Sequence, residues 1–72
     1  MSKLDELLLK NMKGSGDLRE VESMTRLSVI GYTISCLCHA GWNVNDLQQF
    51  REEVSQFMSY EDVYNICRQF LS

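Results

Sequence analysis

The chain contains no proline at all. No helix is therefore broken from within, since proline is the residue that removes an intrahelical hydrogen bond and clashes with the preceding turn. No apolar run approaches the roughly 20 residues that a membrane-spanning helix needs. Basic residues are few and scattered: seven Lys and Arg against ten Asp and Glu, for a net charge of −3. Lys10, Lys13, Arg19 and Arg26 form only a loose group, not the basic stripe of a nucleic-acid binder. The three cysteines, Cys36, Cys38 and Cys67, are an odd number, without a Cys-x-x-Cys pair or a recognisable signal peptide. That pattern excludes a disulfide framework. Only His39 could complete a metal set with the cysteines, whose spacing does not suit the closed four-ligand sites of structural zinc. Three reduced, buried thiols in a cytoplasmic protein are the reading, with no metal and no cofactor.

What is present is a normal share of apolar residues, 44% of 72. That suffices for one folded domain spanning residues 1–72. A domain this small buries only about 60% of its unfolded-chain surface. Its core supplies little stability unless something else helps.

Apolar spacing gives an all-α chain, a small bundle of three to four short helices. Helix one is expected from about Lys3 to Lys13, with Leu4, Leu7, Leu8 and Met12 on one face. Gly14-Ser15-Gly16 then breaks the chain, the glycines being free to take positive φ. Asp17 is the expected N-cap of a long second helix starting at Leu18, with Glu20 as capping-box partner. In that helix Leu27, Ile30, Ile34, Leu37 and Gly41 recur every three or four residues, like the seam of a coiled coil. Residues 28–38 also alternate as a strand would. Helix is preferred because nothing else in the chain alternates to pair with them. Gly41 ends the helix. Asn45, with Gln48 three residues on, is the expected cap of helix three, whose stripe is Leu47, Phe50, Val54, Phe57 and Met58. Helix four follows Ser59, with Tyr60, Val63, Tyr64, Cys67, Phe70 and Leu71 on one side.

The middle of helix two is apolar on nearly every side and so asks to be covered all round. Gly31 and Ser35, four apart, would admit another helix closely. The expectation is a homodimer through Leu27, Ile30, Gly31, Ile34 and Leu37. The turn Trp42-Asn43-Val44 is the expected partner-binding site, because tryptophan is enriched at interface hot spots. Trp42 sealing the end of the bundle is the alternative. His39 reads as a cation closing the second helix, with pH sensing as the sharper alternative. Glu52-Glu53 and Glu61-Asp62 read as solvated faces. Adjacent carboxylates, and Cys–His neighbours on a helix, point apart, so no catalytic residue is assigned and the chain is read as no enzyme.

The segment DELLLKNMKGSGDLREVES, residues 5–23, resembles the start of the small YmgB/AriR family of enterobacterial proteins. The pattern is Asp5, Leu8, Met12, Lys13, Ser15-Gly16, Leu18, Glu20 and Glu22-Ser23. A second match lies at Gly41, Asn43, Val44 and Asn45. The stretch Ser23–Gly41 is one helical turn longer than the family pattern, and the segment FREEVSQFMSYEDVYNICRQFLS does not follow it. The resemblance implies an all-helical homodimer without catalytic residues. It implies a connector to a phosphorelay response regulator in biofilm and acid-stress control, or an Hha-like DNA-associated modulator. A phage- or toxin-related inhibitor is a further class that suits a small acidic helical chain.

Overall fold

The computed structural model describes residues 2–72, which fold into four α-helices and one 3-10 turn. These are α1 (Lys3–Lys10), the turn Leu18–Glu20, α2 (Arg26–His39), α3 (Val44–Val54) and α4 (Tyr60–Gln69). Helix α2 packs against both α3 and α4, while α1 lies on α3. Residues 28–38 are helical, as preferred, and no strand is formed among the described residues. One isolated bridge joins Gly14 to Leu71.

Helix α1 is capped by Ser2, whose Oγ accepts from the Asp5 amide at 3.2 Å. It stops at Lys10, three residues short of the expected end. Asn11 turns extended, and its Nδ2 donates both to the Leu7 carbonyl at 3.1 Å and to Asp46 Oδ2 at 3.1 Å. The side chain thereby closes the last turn of α1 and ties it to α3.

The Gly14–Gly16 segment is not a loose hinge. It is a strap laid across α2. The Gly14 amide donates to the Phe70 carbonyl at 2.9 Å, and the Ser72 amide donates to the Gly14 carbonyl at 2.9 Å. A Cβ on Gly14 would come within 3.0 Å of the Cys36 backbone carbon, and one on Gly16 within 2.6 Å of Cys36 Sγ and 2.9 Å of Tyr32 Oη. These glycines are required for close approach, not for positive φ. Gly41 alone among the described residues has positive φ, +99°, just past α2, where it ends the helix as expected. That is the left-handed position glycine favours after a helix.

The second helix begins eight residues later than Leu18. Asp17 caps only the 3-10 turn, because its carboxylate is taken by the backbone amide and guanidinium of Arg19. Leu18 is buried in the core. A helix continuous from Leu18 to Arg26 would carry that side chain about 12 Å along the axis, beyond the core. Burial of Leu18 prevails over the capping signal. Thr25 caps α2 instead, accepting from the Ser28 amide at 3.2 Å.

Helix α3 starts two residues earlier than expected. Asn43, not Asn45, is the N-cap, and its Oδ1 accepts from the Asp46 amide at 2.8 Å. The helix ends at Val54, so Phe57 and Met58 leave the expected stripe and lie in the turn, both exposed. Arg26 satisfies the carbonyls there, donating through Nε to Phe57 O at 3.0 Å and through Nη2 to Ser55 O at 3.1 Å. Helix α4 starts where expected, with Ser59 Oγ accepting from the Asp62 amide at 3.4 Å.

The core gathers Val29, Ile30 and Leu37 of α2, Phe50 and Val54 of α3, and Val63 and Cys67 of α4. Three aromatic rings stand edge-on at its centre. Phe50 and Phe70 lie 4.8 Å apart between centroids, and Trp42 lies 6.2 Å from Phe50 and 5.9 Å from Phe70. Such edge contacts add to the gain from burial alone. Thr33, also buried, donates its hydroxyl to the Val29 carbonyl at 2.8 Å. Burial pushes the Cys67 thiol pKa up, so this sulfur behaves as a small apolar group.

The two kinds of glycine should respond oppositely to one methyl group. Gly14→Ala presses a methyl group on the Cys36 backbone and should destabilise by about 1–3 kcal/mol, the usual range for overpacking. Gly31→Ala meets open space in mid-helix and should stabilise the folded subunit by about 0.5–1 kcal/mol. Urea denaturation of the two variants at equal concentration measures both.

Candidate interaction surface

Helix α2 has two unlike sides. Val29, Ile30, Thr33 and Leu37 face inward, and Tyr32 and Cys36 lie half-buried under the strap. On the outer side are Leu27, Gly31, Ser35 and Cys38, all exposed, with half-buried Ile34 at the edge. They follow the three- and four-residue spacing of one helix face. No charged residue occurs between Leu27 and Cys38. The exposed faces of the other helices do carry charge: Asp5 and Glu6 on α1, Arg51 and Glu52 on α3, Glu61, Asp62 and Arg68 on α4. Leu27 stands 77% exposed, and Gly31, one turn on, has no neighbour within 4 Å of where a Cβ would lie. The face is thus a ridge beside a hollow.

This splits the five residues expected at a dimer contact. Leu27 and Gly31 are outside and Ile34 borders the face. Ile30, 2% exposed, and Leu37, 0% exposed, are in the core. The inner half of the seam is taken by the chain's own α3 and α4, so those two residues cannot touch a second subunit in this fold.

The expected partner-binding turn is corrected more strongly. Trp42 is only 5% exposed, and its Nε1 donates to the Met12 carbonyl at 2.7 Å. It seals the end of the bundle, the alternative reading of this residue. Asn43 spends its side chain as the α3 cap, and Val44, in the first turn, is left exposed. The cysteines differ from the expectation of three buried thiols: all are free, but Cys67 is buried, Cys36 half-buried and Cys38 exposed. His39 is the last residue of α2 and exposed.

One buried charge was not expected. Asp46 is 6% exposed and accepts from Lys10 Nζ at 3.2 Å and from Asn11 Nδ2 at 3.1 Å. The Asn11 hydrogen bond holds its carboxyl below the usual aspartate range; burial opposes this, and Lys10 adds to the lowering. The group joins α1 to α3 across 36 positions of sequence. Only its place three residues after Asn43 marks it beforehand, as an acidic residue in a first helical turn. Arg19 likewise holds Asp17 below the ordinary range through side-chain and backbone hydrogen bonds.

No helix is long and apolar enough to cross a membrane among the described residues. Compared with protein-family models, curated proteins and solved structures, the chain matches none.

Two outcomes follow from this geometry. Trp42→Ala removes a core aromatic and the partner of Met12, and should cost about 3–5 kcal/mol, as buried aromatic truncations do. A thermal melt followed by circular dichroism checks it, and a change under about 1 kcal/mol would return Trp42 to the surface reading. For Asp46 the folded pKa is depressed, so its stabilisation is complete above the unfolded value of about 3.9 and is lost as pH falls through the folded value. Asp46→Asn should therefore flatten the acid limb below about pH 4. Melts from pH 6 to 2.5 on both proteins measure this.

Proposed function

We propose that this chain is a small non-catalytic regulatory protein that acts by protein–protein interaction, as a homodimer joined through the outer face of α2. The observation that carries the reading is the uncharged exposed face Leu27–Gly31–Ile34–Ser35–Cys38 on a chain of net charge −3. In a two-fold contact the same patch meets itself, so residue i touches j and j touches i. Like charges brought together in that way are repelled at short range. Repulsion between two acidic copies is avoided where they meet through a face without charge, and α2 supplies one. The Leu27 ridge and the Gly31 hollow are one turn apart, so each copy's leucine can seat over the other's glycine. Methyl-rich Met24 and Met58 are also exposed.

The resemblance of residues 5–23 supports a partner of the response-regulator kind, with biofilm and acid-stress control as the setting. Cys38, an exposed free thiol, suits the reducing cytoplasm.

Light scattering on a sizing column tests the dimer. The wild type should run as a dimer at micromolar concentration. Leu27→Asp buries an unpaired charge against the uncharged face of the other copy. It should raise the dissociation constant at least about a hundredfold, roughly 2.7 kcal/mol, with helicity unchanged. Gly31→Leu should do the same without loss of subunit stability, because the space beside Gly31 is open in the subunit. A folded wild-type monomer at about 100 μM, against a standard-strength association, would refute the proposal. Capture of a response regulator from lysate by wild type and not by a scrambled control would support the partner class.

A further inference from the structure

A cavity of about 370 Å³ lies between the strap and the far end of α4, lined by Gly16, Asp17, Leu18, Arg19, Tyr64, Arg68, Leu71 and Ser72. It shares no residue with the outer face of α2 and owes nothing to the dimer reading. Two of the chain's seven basic residues meet there. Their hydrogen bonding decides what the cavity can take. Asp17 is saturated: its carboxylate accepts from Arg19 N at 3.0 Å, from Arg19 Nε at 3.1 and 3.0 Å, and from Arg19 Nη2 at 2.8 Å. This holds the Arg19 guanidinium in one orientation and leaves its Nη1 uncommitted. The Arg68 guanidinium and the Tyr64 hydroxyl have no hydrogen-bond partner among the described residues, whereas Arg26 donates to two carbonyls. Three free donor groups thus line one concavity whose single carboxylate side chain is already spoken for. Beneath them, Leu18 and Leu71 are buried and give the cavity an apolar floor.

We propose that this cavity binds a small organic phosphate, with the phosphoryl oxygens taken by Arg19, Arg68 and the Tyr64 hydroxyl and an apolar body resting on Leu18 and Leu71. Three donors on separate side chains match three peripheral oxygens, and guanidinium–phosphate bonds are of the stronger, charge-assisted kind. The volume is within the range of small-molecule pockets. A ligand held there bridges the strap to α4, beside the point where Gly14 already pairs with Leu71.

Titration of the isotope-labelled full chain with phenyl phosphate, at low ionic strength and followed by amide NMR, tests the site. Saturable shifts should concentrate on Gly16, Asp17, Leu18, Arg19 and Leu71. Inorganic phosphate should bind at least tenfold more weakly, lacking the apolar body. Arg68→Gln should weaken phenyl phosphate at least tenfold, and Tyr64→Phe several-fold, with melting temperatures unchanged because Arg68 is exposed and Phe keeps the ring. Non-saturable shifts, shifts spread over the surface, or undiminished binding to both variants would overturn the proposal. Inorganic phosphate binding as tightly as phenyl phosphate would overturn the assignment of an organic ligand.

Discussion

Gly14 exchanges backbone hydrogen bonds with the far end of the chain, and the remaining architecture depends on that clasp. Its amide and carbonyl reach the Phe70 carbonyl and the Ser72 amide. The contact forms because the strap can lie almost on the backbone of α2 at Cys36, where a side chain at position 14 would collide, and against the Cys36 and Tyr32 side chains at position 16. Once the strap is down, Met12 offers its carbonyl to Trp42, Leu18 enters the core, and the Asp17 amide donates to the Tyr32 hydroxyl at 3.0 Å. A chain of 72 residues has little core to spare. It gains a covering layer over α2 from a segment with almost no secondary structure. Without it, Tyr32 and Cys36 would lose their cover and Trp42 its Met12 partner.

Much of this fold is legible in the sequence where local signals and burial agree. Ser59 and the Val63–Cys67 stripe place α4, and Gly41 ends α2, because a glycine after the last apolar residue meets both backbone and packing demands. The misreadings occur where a local signal competes with a distant contact. Asp17 and Glu20 look like a capping box, but Arg19 claims the carboxylate and the core claims Leu18. Lys13 looks like the end of a helix, but Asn11 is drawn to Asp46, 35 positions away. The glycines at 14 and 16 look like a hinge because sequence shows their freedom and not the helix they must lie against. Trp42 in a polar turn looks exposed because its partners, Phe50, Phe70 and the Met12 carbonyl, come from three other segments. The candidate interface was half legible for the same reason. Spacing identified α2 as apolar all round, but only packing decides that Ile30 and Leu37 serve the subunit and Leu27 and Gly31 do not.

Single exposed apolar side chains are ordinary on any protein surface and call for no explanation. An exposed leucine, even one as bare as Leu27, is therefore weak evidence of a partner. The stronger feature is what is missing around it. A helix exposed on one side usually carries charge there, since charged groups keep the surface in water and oppose association. Helix α2 runs from Leu27 to Cys38 without one, while the other helices are charged on their exposed faces. Gly31 sharpens the point. Mid-helix glycine disfavours the helix relative to alanine, and no neighbour in the subunit crowds its position. The close approaches at Gly14 and Gly16 justify those glycines within one chain. Nothing within one chain justifies Gly31. A second helix seated against that hollow would, and it would cover Leu27 in the same step.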